Sequence, residues 1–118
     1  MEEIQTLEKL LGEFHHAHES KGALSFFRKS PEAYYILLIV THTYLSKNPI
    51  SIEALISKVS PKYCSRQTVK NITNNAIAQG LLEKKTDKQD KRKKYFILSY
   101  GAFKEIKIWL NKTLIDYS

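Results

Sequence analysis

Hydrophobic residues recur at helical spacing through most of the chain. In residues 3–19, leucines and a phenylalanine repeat every three or four positions, which predicts an amphipathic helix. A second helix is predicted from Pro31, because Ser30 is a favourable N-cap, proline suits the first helical position and Glu32 places an acid in the first turn. This helix is apolar on most sides, so we expect it to lie centrally. It ends at the KNP sequence of residues 47–49.

Two further helices follow, each with its own start signal. Ser51 caps a short helix, IEALISKV, and Ser65 caps a longer one that Gly80 ends with the usual C-terminal signal. Beyond Gly80 the segments LLEKKT and KYFILS favour β structure, which predicts a two-stranded hairpin with polar residues 86–94 at its tip. Ser99 opens the last predicted helix. The predicted order of elements is that of a winged helix: helix, helix, short helix, turn, helix, strand, strand, helix.

The predicted fold class is mainly α with a small β-hairpin, a winged helix-turn-helix with flanking N- and C-terminal helices. The length of 118 residues fits a single domain. Within it, residues 1–48 are expected to supply N-terminal helices for the core and dimerisation. Residues 49–98 are expected to form the helix-turn-helix and wing, and residues 99–118 a C-terminal helix for dimerisation.

Positive charge is concentrated in one third of the chain. The net charge is +7, yet residues 1–48 hold five bases and six acids, whereas residues 58–94 hold eleven bases and three acids. A local excess of this kind is typical of a protein that binds a polyanion. A helix fits the major groove of B-DNA, and a thin hairpin can reach a neighbouring minor groove. Double-stranded DNA is therefore the predicted partner.

The helix at residues 65–79 carries the side chains expected of a helix that reads DNA. Amide side chains pair with adenine and arginine pairs with guanine, while hydroxyl groups near a helix N-terminus suit phosphate. An ordinary solvated surface usually carries Glu as well as Lys, but no acid lies between Glu53 and Glu83. The predicted DNA contacts in this helix are Ser65, Arg66, Gln67, Thr68, Lys70, Asn71 and Asn74.

Residues 65–101 resemble the recognition helix and wing of MarR-type transcription regulators. That pattern has Thr-Val early in the helix, Gly with two apolar residues, Asp-x-Arg in the wing, then Leu-Thr and Gly. The chain has, at matching spacing, Thr68-Val69, Gly80-Leu81-Leu82, Asp90-Lys91-Arg92, Leu98-Ser99 and Gly101. It departs from the pattern in a longer SPKYC turn, in serine at position 99 and in a shorter C-terminal helix. In length it is closer to the small Sar-type regulators.

The resemblance implies roles for residues in the wing. Arg92 would enter the minor groove, and Asp90 would hold the wing turn and orient Arg92 rather than touch DNA. A narrow, A·T-rich minor groove attracts such an arginine through its negative potential. Attraction to the DNA backbone, with strong salt dependence, would come from Lys88, Lys91, Lys93 and Lys94.

The resemblance also implies a homodimer formed by the terminal helices. A two-fold dimer would read an inverted repeat with half-sites about one helical turn apart. An apolar stripe on a terminal helix fits an intramolecular core equally well. The candidate dimer contacts are Leu7, Leu10, Leu11, Phe14, Ile106, Trp109, Leu110 and Leu114.

Other candidate sites carry weaker signals. His15 and Glu19 lie one turn apart, but no histidine pair has the i, i+4 spacing of a helical zinc site, so no metal or cofactor is predicted. Cys64 is either a small packing residue, which we favour, or an oxidant-sensitive thiol of the kind that some members of the resembling family use. A small-molecule effector is possible, with a pocket lined by Tyr34, Tyr35 and Tyr44.

No signature of an enzyme is present: there is no Walker motif, dinucleotide-binding glycine pattern, nucleophile elbow or catalytic carboxylate pair. A single cysteine and the lack of a long apolar run predict a cytoplasmic protein without a membrane partner. The predicted function is sequence-specific DNA binding by a dimeric transcription regulator. Two alternatives stay open, a winged-helix replication or partition factor and a protein- or RNA-interaction module.

Overall fold

The fold is that of a winged helix-turn-helix, as predicted. A computed structural model describes residues 2–19 and 22–117, with side-chain surroundings for residues 2–12 and 22–114. The described part contains α1 (Glu2–Glu19), α2 (Ala23–Phe27), α3 (Pro31–Leu45), α4 (Ile52–Val59), α5 (Arg66–Ala78), β1 (Leu82–Thr86), β2 (Lys94–Leu98) and α6 (Tyr100–Tyr117).

Helix α3 lies at the centre of the fold, as its apolar composition predicted. The Ser30 hydroxyl accepts a hydrogen bond from the Ala33 amide at 3.1 Å and so caps the first turn. Most of the helix contributes to one core, which also takes side chains from the other elements. The largest fully buried members of this core are Phe27, Phe96, Ile36, Leu37, Leu55, Ile56, Leu82, Leu98 and Ile106.

Helix α2 is an element that the sequence pattern did not predict. Its N-terminus is capped by the Glu105 carboxylate of α6, which accepts hydrogen bonds from the Ala23 amide at 3.1 Å and the Leu24 amide at 2.7 Å. A Cβ added at Gly22 would overlap that carboxylate, so glycine gives it room to approach the helix. The cap joins α6 to the start of α2 across 81 residues of chain.

The helix-turn-helix is built from two helices that the chain caps locally. The Ser51 hydroxyl accepts from the Ala54 amide, and the Ser65 hydroxyl accepts from the Thr68 amide, both at 3.1 Å. At the other end of α5, Gly80 adopts a left-handed φ of 75°, which places two amides on the last free carbonyls of the helix. The predicted start and stop signals of this helix are confirmed.

The hairpin pairs β1 and β2 in antiparallel register, with Leu82 opposite Leu98 and Lys84 opposite Phe96. It is anchored to the segment before α4 as well, because the Phe96 amide donates to the Ile50 carbonyl at 3.0 Å. Pairing with this preceding segment was not predicted. It fixes the root of the hairpin beside the helix-turn-helix, while the polar tip extends into solvent.

Helix α1 is the most exposed element of the protein. Every side chain described in it, in residues 2–12, is exposed to solvent. The radius of gyration is 15.3 Å, against about 13.5 Å expected for a compact domain of this length. The molecule is accordingly elongated, at 54 × 27 × 24 Å.

Across the described residues, none of the helices combines the length and the apolar character that crossing a membrane requires.

Candidate nucleic-acid interface

Helix α5 separates an apolar side, which faces the core, from a polar side, which faces solvent. Val69 and Ala76 are buried, and so is Thr73, whose hydroxyl donates to the Val69 carbonyl at 3.0 Å. Exposed positions on the other side include Gln67 and Asn71. This confirms the division of the helix that the sequence predicted, and it adds Thr73 as a hydroxyl that the core tolerates because the helix backbone satisfies it.

Three amide side chains occupy the middle of the exposed side of α5. At 3.6 residues per turn, Gln67, Asn71 and Asn74 project within about 60° of one another around the helix axis. We call these three residues the amide stripe. The Gln67 amide nitrogen donates to the Asn71 side-chain oxygen at 2.9 Å, so two members of the stripe already orient each other.

The basic side chains of α5 lie to one side of the amide stripe. Arg66 reaches toward α4, where its guanidinium lies 3.5 Å from the Glu53 carboxylate; both side chains are exposed. Lys70 lies nearer to the hairpin. At the start of the helix, the hydroxyl groups of Ser65 and Thr68 hydrogen-bond each other at 2.9 Å beside the free amides of the first turn.

The wing tip is organised by two aspartates. The Asp87 carboxylate accepts from the Gln89 amide at 2.7 Å and from the Asp90 amide at 3.2 Å. The Asp90 carboxylate in turn accepts from the Arg92 amide at 3.0 Å. Both acids of the tip therefore hold backbone amides, which is the physical role that the resemblance implied for Asp90.

Asp87 is a structural residue that the sequence reasoning missed. Hydrogen bonds from the Gln89 and Asp90 amides lower the pKa of its carboxyl below its ordinary value, because they favour the charged form. The available signal was local, since an aspartate followed by polar residues in a turn commonly accepts from amides two and three positions on.

Arg92 projects from the tip into solvent. Its side chain is 97% exposed, and its Nε lies 3.9 Å from the Asp90 carboxylate. The lysines around it are exposed as well, namely Lys88, Lys91, Lys93 and Lys94. The wing thus presents one arginine and four lysines around a tip whose two carboxylates are occupied by the backbone.

A groove of 180 Å³ separates α5 from the hairpin. Its apolar lining comes from Val69, Phe96 and other core residues, and its exposed lining comes from Lys70, Asn74 and Lys84. Lys84 was not among the predicted DNA contacts. It belongs with them by position, because strand alternation puts it on the side of the hairpin that faces α5.

Cys64, directly before α5, does not have the surroundings of a reactive thiol. Burial, with a smaller contribution from the negative charge of Glu32, raises the pKa of the Cys64 thiol above its ordinary value. A reactive cysteine requires the opposite shift. The packing explanation for Cys64 is therefore the one that its environment favours.

The seven predicted dimer residues whose side chains are described fall into three groups. Leu7, Leu10, Leu11 and Leu114 are exposed, whereas Trp109 and Leu110 are half-buried against the core of their own protomer. Ile106 is 1% exposed, so its assignment to a dimer surface is wrong: it packs inside the protomer. The stripe on α6 could not reveal this, because core and interface positions share the same periodicity. The side chain of Phe14 lies outside the described residues.

The remaining candidates are a metal site at His15 and Glu19 and an effector pocket at three tyrosines. His15 and Glu19 have side chains outside the described part of the chain, and no group of three potential metal ligands occurs inside it. The three tyrosines considered for an effector pocket each pack against a different aromatic ring. The pairs are Tyr34 with Trp109, Tyr35 with Tyr63 and Tyr44 with Phe103.

The fold is shared with solved structures of bacterial proteins. MepR of S. aureus in complex with DNA superposes with a TM-score of 0.60 and 15% identity, over 97% of this chain and 96% of MepR. MepR bound to ethidium bromide gives a TM-score of 0.61 and 17% identity, over 97% of this chain and 78% of that one. The heme sensor PefR of Streptococcus agalactiae, in complex with heme, gives a TM-score of 0.52 and 20% identity, over 93% of this chain and 69% of PefR.

No protein-family model matches the chain, and no curated protein matches it significantly in sequence. The likeness is therefore one of fold, at 15 to 20% identity. The resemblance seen in residues 65–101 is confirmed at that level: the chain has the winged-helix fold of MepR and PefR.

Proposed function

We propose that this protein binds double-stranded DNA sequence-specifically and acts as a transcription regulator. Residues 65–79 would enter the major groove, and the wing, residues 86–94, the adjacent minor groove. The observation that carries this proposal is the distribution of charge. Each acid between Ala54 and Ser99 is engaged: Glu83 lies 3.2 Å from Lys85, and Asp87 and Asp90 accept backbone amides. The surface that α5 and the hairpin offer to phosphate is therefore dominated by amides and bases.

The groove between α5 and the hairpin supports the same function. Lys70 and Lys84 border it from opposite sides, so a phosphate group passing between the two elements would meet an ammonium group from each. The exposed wing lysines and Arg92 add further positive charge on the hairpin side of the amide stripe. The DNA complex of MepR, a protein of the same fold, adds support for this partner.

We propose further that two copies associate through the terminal helices. The support is the exposed apolar surface of α1, where Leu7, Leu10 and Leu11 face solvent, and of α6 around Leu114. Ile4 and Ile108 extend these surfaces. A two-fold dimer would present two α5 helices to an inverted repeat in the cytoplasm. That PefR is described as a heme sensor and MepR is seen with ethidium bromide supports a small-molecule effector as part of the proposal.

The test is a competition between nucleic acids. A fluorescein-labelled random-sequence 30-bp duplex, the corresponding single strand and a structured RNA hairpin would be titrated by anisotropy at several salt concentrations. We expect preference for duplex DNA and an affinity that falls steeply with salt, with a slope of about −0.9 for each phosphate neutralised. Preference for the RNA hairpin, or no duplex affinity at low salt, would overturn the proposal in favour of an RNA- or protein-interaction module.

A further inference from the structure

We infer that α5 selects adenine in the major groove, so that each half-site of the bound DNA is built from A·T pairs. This inference rests on the proposed DNA-binding function and adds the class of sequence that the site reads. It follows from which side chains stand in the middle of the exposed side of α5 and which stand at its edge.

The middle of the exposed side carries amides and no charge. Gln67, Asn71 and Asn74 form the amide stripe, and the next exposed residue along the same line is Ala78. Glutamine and asparagine make paired hydrogen bonds with the N6 amino group and N7 of adenine, and an alanine methyl packs against the methyl group of thymine. All four positions therefore favour the two edges of an A·T pair.

The contact inside the stripe preserves this preference. The Gln67 side-chain nitrogen donates to the Asn71 side-chain oxygen at 2.9 Å. That bond leaves the Gln67 side-chain oxygen available as an acceptor and the Asn71 side-chain nitrogen available as a donor. The same bond fixes the orientation of both amides. An acceptor beside a donor is complementary to the N6 amino group and N7 of adenine, whereas guanine offers two acceptors, O6 and N7.

The side chains that read guanine best are held off the stripe. Arg66 lies toward α4, with its guanidinium 3.5 Å from Glu53. Lys70 projects about 40° beyond Asn74 around the helix axis, at the edge of the exposed side, and it lines the groove together with Asn74 and Lys84. These bases are placed for phosphate, which fixes position on the duplex without reading sequence. In this arrangement the amides contact the bases and determine sequence, and the cations contact phosphates and determine position.

The first experiment is selection of bound duplexes from a pool with 20 randomised base pairs, with the intact protein. We expect enrichment of adenine and thymine in the half-sites. Because a narrow A·T minor groove also attracts the wing, the selected duplex is then remade with 7-deazaadenine, which removes only the major-groove N7 acceptor. Loss of affinity by about five- to hundredfold at the half-site adenines is expected for paired amide contacts.

Matched variants locate the effect. Asn71→Ala should abolish the response to 7-deazaadenine at one position, and Gln79→Ala, an exposed amide at the end of α5 outside the stripe, should leave it intact. Half-sites rich in G·C, or full tolerance of 7-deazaadenine by the unaltered protein, would overturn the adenine inference while leaving DNA binding in place. Failure to retain any duplex would instead overturn the proposed function and, with it, this inference.

Discussion

Helices α1 and α5 are both amphipathic, yet they differ in whether the apolar side is buried. In α5 the apolar side is buried, with Val69 and Ala76 in the core, and what remains exposed is polar. In α1 the apolar side is itself exposed, with Leu7 at 58% and Leu11 at 56%. The apolar side of α5 is therefore part of the core of the fold, whereas the apolar side of α1 remains accessible to solvent.

This difference indicates what kind of partner each helix requires. The exposed side of α5 is suited to a ligand that hydrogen-bonds and carries negative charge, because burial of its amides without partners would be unfavourable. The exposed side of α1 is suited to another apolar surface, which in the proposed dimer would come from a second copy of the chain. Four substitutions test this contrast, and the one that should weaken DNA binding most comes first.

The largest effect should come from placing charge on the apolar side of α1. We expect the double variant Leu7→Glu/Leu11→Glu to convert the proposed dimer into monomers, because the interface would bury two unpaired carboxylates from each protomer. Duplex affinity should fall by about a hundredfold or more, since each protomer then binds a half-site alone. Light scattering after size exclusion measures the mass, and anisotropy the affinity.

Gln5→Glu is the matched control, because it adds a carboxylate on the polar side of the same helix. It should remain dimeric. A double variant that keeps the mass of a dimer would show that α1 does not form the interface, and would remove the contrast between the two helices.

Arg92→Ala should weaken duplex binding by about 1–3 kcal/mol. The side chain is almost fully exposed and its backbone is held by Asp90, so its loss removes a contact without disturbing the fold. Lys29→Ala, an exposed base outside the cationic segment, serves as control and should bind normally. Unchanged affinity of Arg92→Ala at low salt would contradict the placement of the wing in the minor groove.

Lys84→Ala should have a smaller and sequence-independent effect. If Lys84 holds phosphate beside Lys70, its removal lowers the salt slope of binding by about 1 and weakens all duplexes alike. Lys112→Ala, an exposed lysine of α6, should change neither quantity. A loss confined to particular sequences would mean that Lys84 contacts bases, and an unaltered slope would mean that the groove does not face the DNA.

The smallest effect is local to the wing and depends on pH. The pKa of Asp87 in the folded protein lies below its ordinary value of 3.8, so its bonds to the Gln89 and Asp90 amides are present above that range and are lost as the pH falls through the lowered pKa. Amide shifts of Gln89 and Asp90, followed by NMR, should titrate together with a shared midpoint below the ordinary value of 3.8. Asp87→Asn should abolish this titration, and a shared midpoint above the ordinary value would contradict the assignment.

The elements with local signals were predictable from the sequence. Ser30, Ser51 and Ser65 cap α3, α4 and α5 within three residues, and Gly80 ends α5 through its own backbone. The wing was predictable because the helical spacing of apolar residues gives way after Gly80 to two short segments that favour β structure. These features depend on side chains and backbone groups that are neighbours in the chain, so pattern and propensity suffice to find them.

The features that escaped prediction depend on distant residues. The short helix α2 is capped by Glu105, and the hairpin root is tied to Ile50. Likewise, Ile106 shares the spacing of an interface residue, and only its burial in the folded chain shows that it is core. Lys84 joins the interface because the strand register turns it toward α5. Predicting any of these features would require knowing which elements are in contact in the folded chain.

The junction between α5 and the hairpin has a mechanical consequence. The Gly80 amide bonds the Ile77 carbonyl at 3.0 Å, the Leu81 amide bonds the Ala76 carbonyl at 2.9 Å, and the Leu81 carbonyl accepts from Ser99 at 3.0 Å. These bonds tie the junction to both elements, so we expect helix and hairpin to move together. In the proposed complex with DNA, the protein would then set the number of base pairs between the major-groove and minor-groove contacts. The proposed operators would have to match that interval.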